Sequence, residues 1–212
     1  MTEEAAATAT AAGTATAARA GAHAPGKGDE RRAALADAAI EVVADEGMRG
    51  LTHRAVDRAA GLPPGTTSAY FRTRAALLTA LVRRLVARDQ AELHAAGERL
   101  PALRTPDELV GGIRALAEAR LTGEGRRRSL ARHACAIESV RDPELREILT
   151  PHDNAGREAV RVFLAAHGVA DPPSRTHTLL VCVDGLVFDA LLTGAQVSPE
   201  AVEGLVAAAL RP

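Results

Sequence analysis

Residues 51–78 read LTHRAVDRAAGLPPGTTSAYFRTRAALL. Gly61 and the Pro63-Pro64 pair divide the stretch into short helical pieces. Thr52 precedes HRAVDRAA and offers the side-chain oxygen of a helix N-cap. Gly61 suits the left-handed residue that closes such a helix, with Leu62 turning back to pack. A further short helix is expected from about residue 64. Proline fits a first helical turn, and Pro64 forces Pro63 into the extended conformation of a cap position. Two helices joined by a tight turn at Ala60-Gly61-Leu62 make a helix-turn-helix. In that unit the second helix enters the major groove of DNA with its N-terminal residues at the base edges.

The residues of the second helix fit that use. Gly65 has no side chain, so its backbone can approach a phosphate or base closely. Thr66, Thr67 and Ser68 supply hydroxyls, and the threonine methyls can pack on thymine methyls. Free N–H groups beside Pro64 suit phosphate. Thr52 and His53, at the start of the preceding helix, join the expected DNA-binding set. The chain has only four aromatic residues, one Tyr and three Phe, and two of them stand side by side at Tyr70 and Phe71. Phe71 falls on the inner side and plugs the small core, while the Tyr70 hydroxyl reaches a phosphate. Arg74 opens the next helix and holds the same strand.

Charge points the same way. Between Arg49 and Arg88 stand eight arginines and one acid, Asp57, a local net of +7. The whole chain carries −1, so the remainder carries −8. A basic patch on an acidic body is the electrostatic footprint of a DNA binder.

Outward from this stretch the pattern stays helical. Leu35, Ala38, Ala39, Val42 and Val43 form an amphipathic stripe in a helix expected from Asp29, ended by Gly47 and Gly50. Residues 1–28 are Ala- and Thr-rich and, after Met1, lack any apolar side chain larger than Ala; a disordered tail is expected. Leu77, Leu78, Leu81, Val82, Leu85 and Val86 line a long helix over 74–97, and Pro101 marks its break. Later helices are expected over 106–121, 127–140, 143–167, 174–193 and 198–210. No sustained period-2 alternation appears, so the fold class is all-α.

Other classes find little support. The apolar run at 179–192 is interrupted by Asp184, Gly185 and Asp189, short of the ~20 residues a membrane span needs. No secretory leader is evident, and a cytoplasmic location is expected. The two cysteines, Cys135 and Cys182, sit in apolar runs and read as small buried hydrophobes. His133, Cys135 and Glu138 have metal-ligand side chains, but positions i and i+2 diverge around a helix, so no metal site is expected. His152-Asp153 is a lone pair. No phosphate loop, nucleophile elbow or CxxC occurs; neither enzyme activity nor a cofactor is expected. A helical protein-interaction module without DNA binding is the alternative, and it leaves the +7 patch unexplained.

The order of these motifs resembles the DNA-binding domain of TetR-family transcriptional repressors. It runs helix, T-x-x-x-[V/I]-x-x-x-A-G-[V/L], x-x-G-T, an aromatic-Phe end, then a basic residue before a leucine-rich helix. The match covers about residues 30–78. It departs from the family's usual pattern at Pro63 (Ser or Thr), Ser68 (Tyr) and Tyr70 (His). The resemblance implies a DNA-binding domain over 29–75 and a helical ligand-binding and dimerisation domain over 76–212. It also implies a homodimer through residues 174–210 that reads a palindromic operator and is released by a small-molecule effector. Arg120, His133, Glu138 and Phe163 are the candidate effector contacts. Only Phe163 and Phe188 are aromatic in the C-terminal part, so a small or aliphatic effector is expected rather than a flat aromatic cation.

Overall fold

The computed structural model describes residues 26–99, 103–149 and 154–211. Within them every regular element is a helix. Ten occur in order: α1 Lys27–Gly50, α2 His53–Ala59, α3 Thr66–Tyr70, α4 Arg74–Arg99, α5 Pro106–Leu121, α6 Gly123–Ser139, α7 Pro143–Leu149, α8 Ala155–Ala166, α9 Pro172–Thr193 and α10 Pro199–Ala209. Residues 1–25 of the expected tail, Pro101, and His152-Asp153 lie outside the described residues. α1 begins two residues ahead of the expected start at Asp29.

Local chemistry sets the boundaries. Gly47 adopts φ 69°, a left-handed value that breaks the α1 ladder. The Thr52 oxygen accepts from the Ala55 N–H at 3.2 Å, the expected cap of α2. Gly61 is left-handed at φ 64°. α5 carries a capping box, with Thr105 and Glu108 each accepting from the other's backbone N–H. The helix expected over 143–167 comes as two, α7 and α8, on either side of 150–153. Asn154 caps the second of them, its side chain accepting from the Arg157 N–H at 2.8 Å.

Two apolar cores result. The first joins α1, α2, Phe71 and the first half of α4 to Ala131 and Cys135 of α6 and to Leu145 and Leu149 of α7. The second joins Leu109 and Ile113 of α5 to Val160, Phe163 and Leu164 of α8, Leu179 and Val183 of α9, and Val202 and Val206 of α10. A bridge of Ala117, Val187 and Leu191 connects α5 with α9. α7 and the Ala131–Cys135 face of α6 therefore share their core with the helix-turn-helix, while Leu130 of α6 packs against the bridge.

Candidate nucleic-acid interface

α3 is too short to stand alone, and a single carboxylate holds its start. Asp57, on α2, is almost wholly buried. Its Oδ2 accepts the Gly65 N–H at 2.8 Å. Its Oδ1 accepts both the Thr67 N–H at 2.7 Å and the Thr67 hydroxyl at 2.6 Å. Burial alone would raise the Asp57 pKa, but the Thr67 hydroxyl and the Thr67 and Gly65 N–H groups more than offset it and hold the carboxyl below its usual range. The residue thus stays ionised as a cap donated from the neighbouring helix.

This arrangement corrects several expectations. α3 starts at Thr66, not near Pro64, because Gly65 takes φ 93° as the cap residue. A Cβ there would meet nothing within 4 Å, so left-handed backbone rather than lack of space demands glycine. The N–H groups of Gly65 and Thr67 are not free for phosphate, since Asp57 occupies them. Thr67 is fully buried, its hydroxyl committed to Asp57; it shapes the helix start and does not touch bases. His53 is a brace: its Nε2 donates to the Phe71 carbonyl at 2.6 Å and ties the start of α2 to the end of α3.

The other members of the set lie on the outside. Thr52, Pro64, Gly65, Ser68 and Arg74 are exposed, and Thr66 and Tyr70 are half-buried. The Thr66 hydroxyl donates to the Pro63 carbonyl at 2.7 Å. One Arg74 terminal nitrogen donates to the Met48 carbonyl at 2.7 Å, pinning the first turn of α4 to the end of α1. Phe71 is buried in the first core, as its expected role as a plug requires.

The +7 run is not all available to DNA. Arg84 and Arg88 both donate to Asp37 of α1, at 2.8 and 2.9 Å. Burial would raise the Asp37 pKa, but these two guanidiniums hold it below the usual carboxylate value. Arg58 lies 3.5 Å from Glu46. The outward-facing charge is smaller than the count, because a charge run also serves the fold's own ion pairs. Asp57 was legible only as the lone acid of that run; its capping role depends on the α2–α3 crossing.

Of the candidate effector contacts, Arg120 and His133 meet at Ser129, whose hydroxyl donates to the Arg120 carbonyl at 2.9 Å, while Glu138 and Phe163 lie by the first and second cores. Arg120 of α5 pairs with Asp184 of α9. The His133 ring stacks on Phe188 with centroids 4.8 Å apart, and its Nδ1 donates to the Ser129 carbonyl at 2.7 Å. Glu138 is half-buried near Cys135; burial first, then the Glu138 charge, pushes the Cys135 thiol up to about 12. Phe163 belongs to the second core, with the His167 ring 4.1 Å away. Among the described residues no group of three or more His, Cys, Asp or Glu is placed to hold a metal ion.

Comparison with known proteins places this geometry. A family profile described as "Bacterial regulatory proteins, tetR family" matches residues 35–81, and "Tetracyclin repressor-like, C-terminal domain" matches 104–212. The HTH-type transcriptional regulator BetI of Rhizobium meliloti (strain 1021) is 31% identical over 172 residues, 81% of this chain and 83% of that protein. A TetR-family member from Streptomyces coelicolor A3 superposes with a TM-score of 0.65 at 31% identity, covering 86% of this chain and 99% of its own. The multidrug binding protein EbrR, solved in complex with ethidium, superposes with a TM-score of 0.64 at 30% identity, covering 86% and 99%.

Proposed function

Because the chain belongs to the tetR family of bacterial regulatory proteins, we propose that it is a ligand-responsive repressor that binds a palindromic operator as a homodimer. The observation that carries the DNA-reading role is the α3 surface. Asp57 caps a short helix and leaves Pro64, Gly65, Thr66 and Ser68 outward, flanked by Tyr70 and Arg74. The base-edge contacts in this reading come from Thr66 and Ser68, with Gly65 leaving room for close approach, and the phosphate contacts from Thr52, Tyr70 and Arg74. Residues 29–75 act as the DNA-binding part and 76–212 as the effector-binding and dimerisation part, working in the cytoplasm. Its output is regulation rather than catalysis.

Effector binding acts on DNA through α4 and α6. α4 runs directly from the helix-turn-helix, and α6 packs on α1 through Ala131 and Cys135. A shift of either changes the separation of the two α3 helices in the dimer. DNA and effector then weaken each other's binding by the same factor. EbrR is solved with ethidium, proflavin and malachite green. The two rings Phe163 and Phe188 of the C-terminal part favour a small or aliphatic effector here; Phe163 lies in the core and Phe188 is stacked on His133.

The test is a titration of the protein into labelled DNA from upstream of its own gene, beside a shuffled duplex, at two salt concentrations. Tighter binding to the native duplex, weakening steeply with salt, is expected. Absence of binding to either at low salt would return the chain to a helical interaction module.

A further inference from the structure

The end of α3 has a neighbour that the helix-turn-helix stretch does not contain. Arg32, in the second turn of α1, places its guanidinium carbon 5.4 Å from the centroid of the Tyr70 ring. Arg32 is exposed, and among the described residues no carboxylate pairs with it. Tyr70 is half-buried, packed against the first core, with Arg32 lying over its ring. Arg84 and Arg88, two arginines of the basic run, are spent on Asp37. Arg32, seventeen residues before that run begins at Arg49, is left with a face of aromatic π-density and water.

We propose that Arg32 is part of the DNA interface. Its guanidinium packs on the Tyr70 ring, holds the phenol hydroxyl toward the phosphate backbone, and offers its outward N–H groups to the same or the adjoining phosphate. This rests on the DNA-binding reading of α3. A planar guanidinium suits both contacts at once: it stacks on a ring through its face and donates through its edge. Lysine supplies the charge but not the face. Arg32 is therefore a positioning residue for Tyr70 as well as a phosphate contact, and it carries no base information.

The chain supplies its own reporter. It has one tyrosine and no tryptophan, so intrinsic fluorescence comes from Tyr70 alone. The experiment compares wild type, Arg32→Ala, Arg32→Lys, Tyr70→Phe and the Arg32→Ala/Tyr70→Phe pair in the titration described above, with acrylamide quenching of Tyr70 read in parallel. In Arg32→Ala, affinity for native and shuffled duplexes falls by the same factor, roughly five- to tenfold, and the salt slope drops by about one per protomer. Quenching of the free protein rises, because the ring has lost its cover. Arg32→Lys keeps the salt slope but shows the raised quenching. In the Tyr70→Phe background Arg32→Ala costs less than in wild type, since part of its effect runs through the lost hydroxyl. Matching melting temperatures show that the variants are folded. A wild type that binds DNA beside an Arg32→Ala protein of equal affinity, slope and quenching overturns the role of Arg32 alone. A loss confined to the native duplex overturns it too, because that is base reading. A wild type that binds neither duplex overturns this inference together with the DNA-binding reading.

Discussion

Asp57 shows how one buried charge can organise a recognition surface. It satisfies three donors of the α3 start, and removing it strands a buried hydroxyl and two N–H groups. Asp57→Ala is expected to cost about 2–4 kcal/mol and to abolish tight DNA binding, by thermal melting and duplex titration. Asp57→Asn keeps a carbonyl acceptor and costs less. The folded pKa of Asp57 is depressed, so its contribution to stability is complete above the unfolded value near ~4. That contribution is lost as pH falls through the lower folded value. Wild-type melting temperature should therefore drop below about pH 4, and Asp57→Asn should flatten that drop. Asp37, held down by Arg84 and Arg88, adds to the same acid limb. Cys135 is fully buried, with its thiol pushed up to about 12. In the native protein a thiol reagent should modify the half-buried Cys182 well before Cys135.

At the scale of elements, the informative contact is α6 against α1. Asp37, Glu41 and Asp45 recur every four residues along one face of α1. Arg84 and Arg88 of α4 meet the first, and Arg127 of α6 meets the other two. These side chains are between 27 and 58% exposed, so solvent screens the pairs and each adds little. Ala131 and Cys135, both at 0% exposure, make the apolar seam between the helices. The seam should outweigh the pairs. Ala131→Leu forces extra methylenes into a closed contact and is expected to destabilise by about 1–3 kcal/mol. Arg127→Ala should cost less than Ala131→Leu and chiefly remove salt dependence from the melting curve. Denaturant melts of the two variants decide which interaction holds α6 in place.

At the scale of the whole molecule, α9 has two apolar faces. One, with Thr176, Leu179, Val183, Val187 and Leu191, is buried in this chain. The other shows Val181, Phe188 and Leu192 at 53, 43 and 70% exposure, with Gly185 between them. The helix is long and apolar enough to cross a membrane by length and composition alone, yet only about a third of its most apolar stretch is buried in this chain. A second apolar face suits a two-fold helical interface, where the same patch from each copy meets itself. In the homodimer proposed above, Leu192→Glu is expected to leave the melting temperature of the protomer nearly unchanged while shifting sedimentation from dimer to monomer. Operator affinity should fall by more than about tenfold, because the two half-sites are then bound separately. A variant that stays dimeric would place the interface elsewhere.

Whatever depends on neighbours along the chain was readable before any fold was known. The stripe from Leu35 to Val43, the Thr52 cap, the left-handed Gly61 and the buried Phe71 were all legible, because periodicity, capping and turn chemistry act over a few residues. Where charges and polar groups meet across helices emerged from the packing of the folded chain. Asp57 looked like the one acid of a basic run, Thr67 like a base contact, and Arg84 and Arg88 like part of a DNA patch. Their partners lie 10, 47 and 51 residues away in sequence. Composition counts such charges without pairing them. Pairing comes from the crossing of α1, α2, α3 and α4, and that crossing follows from aliphatic packing into which no single position has a view.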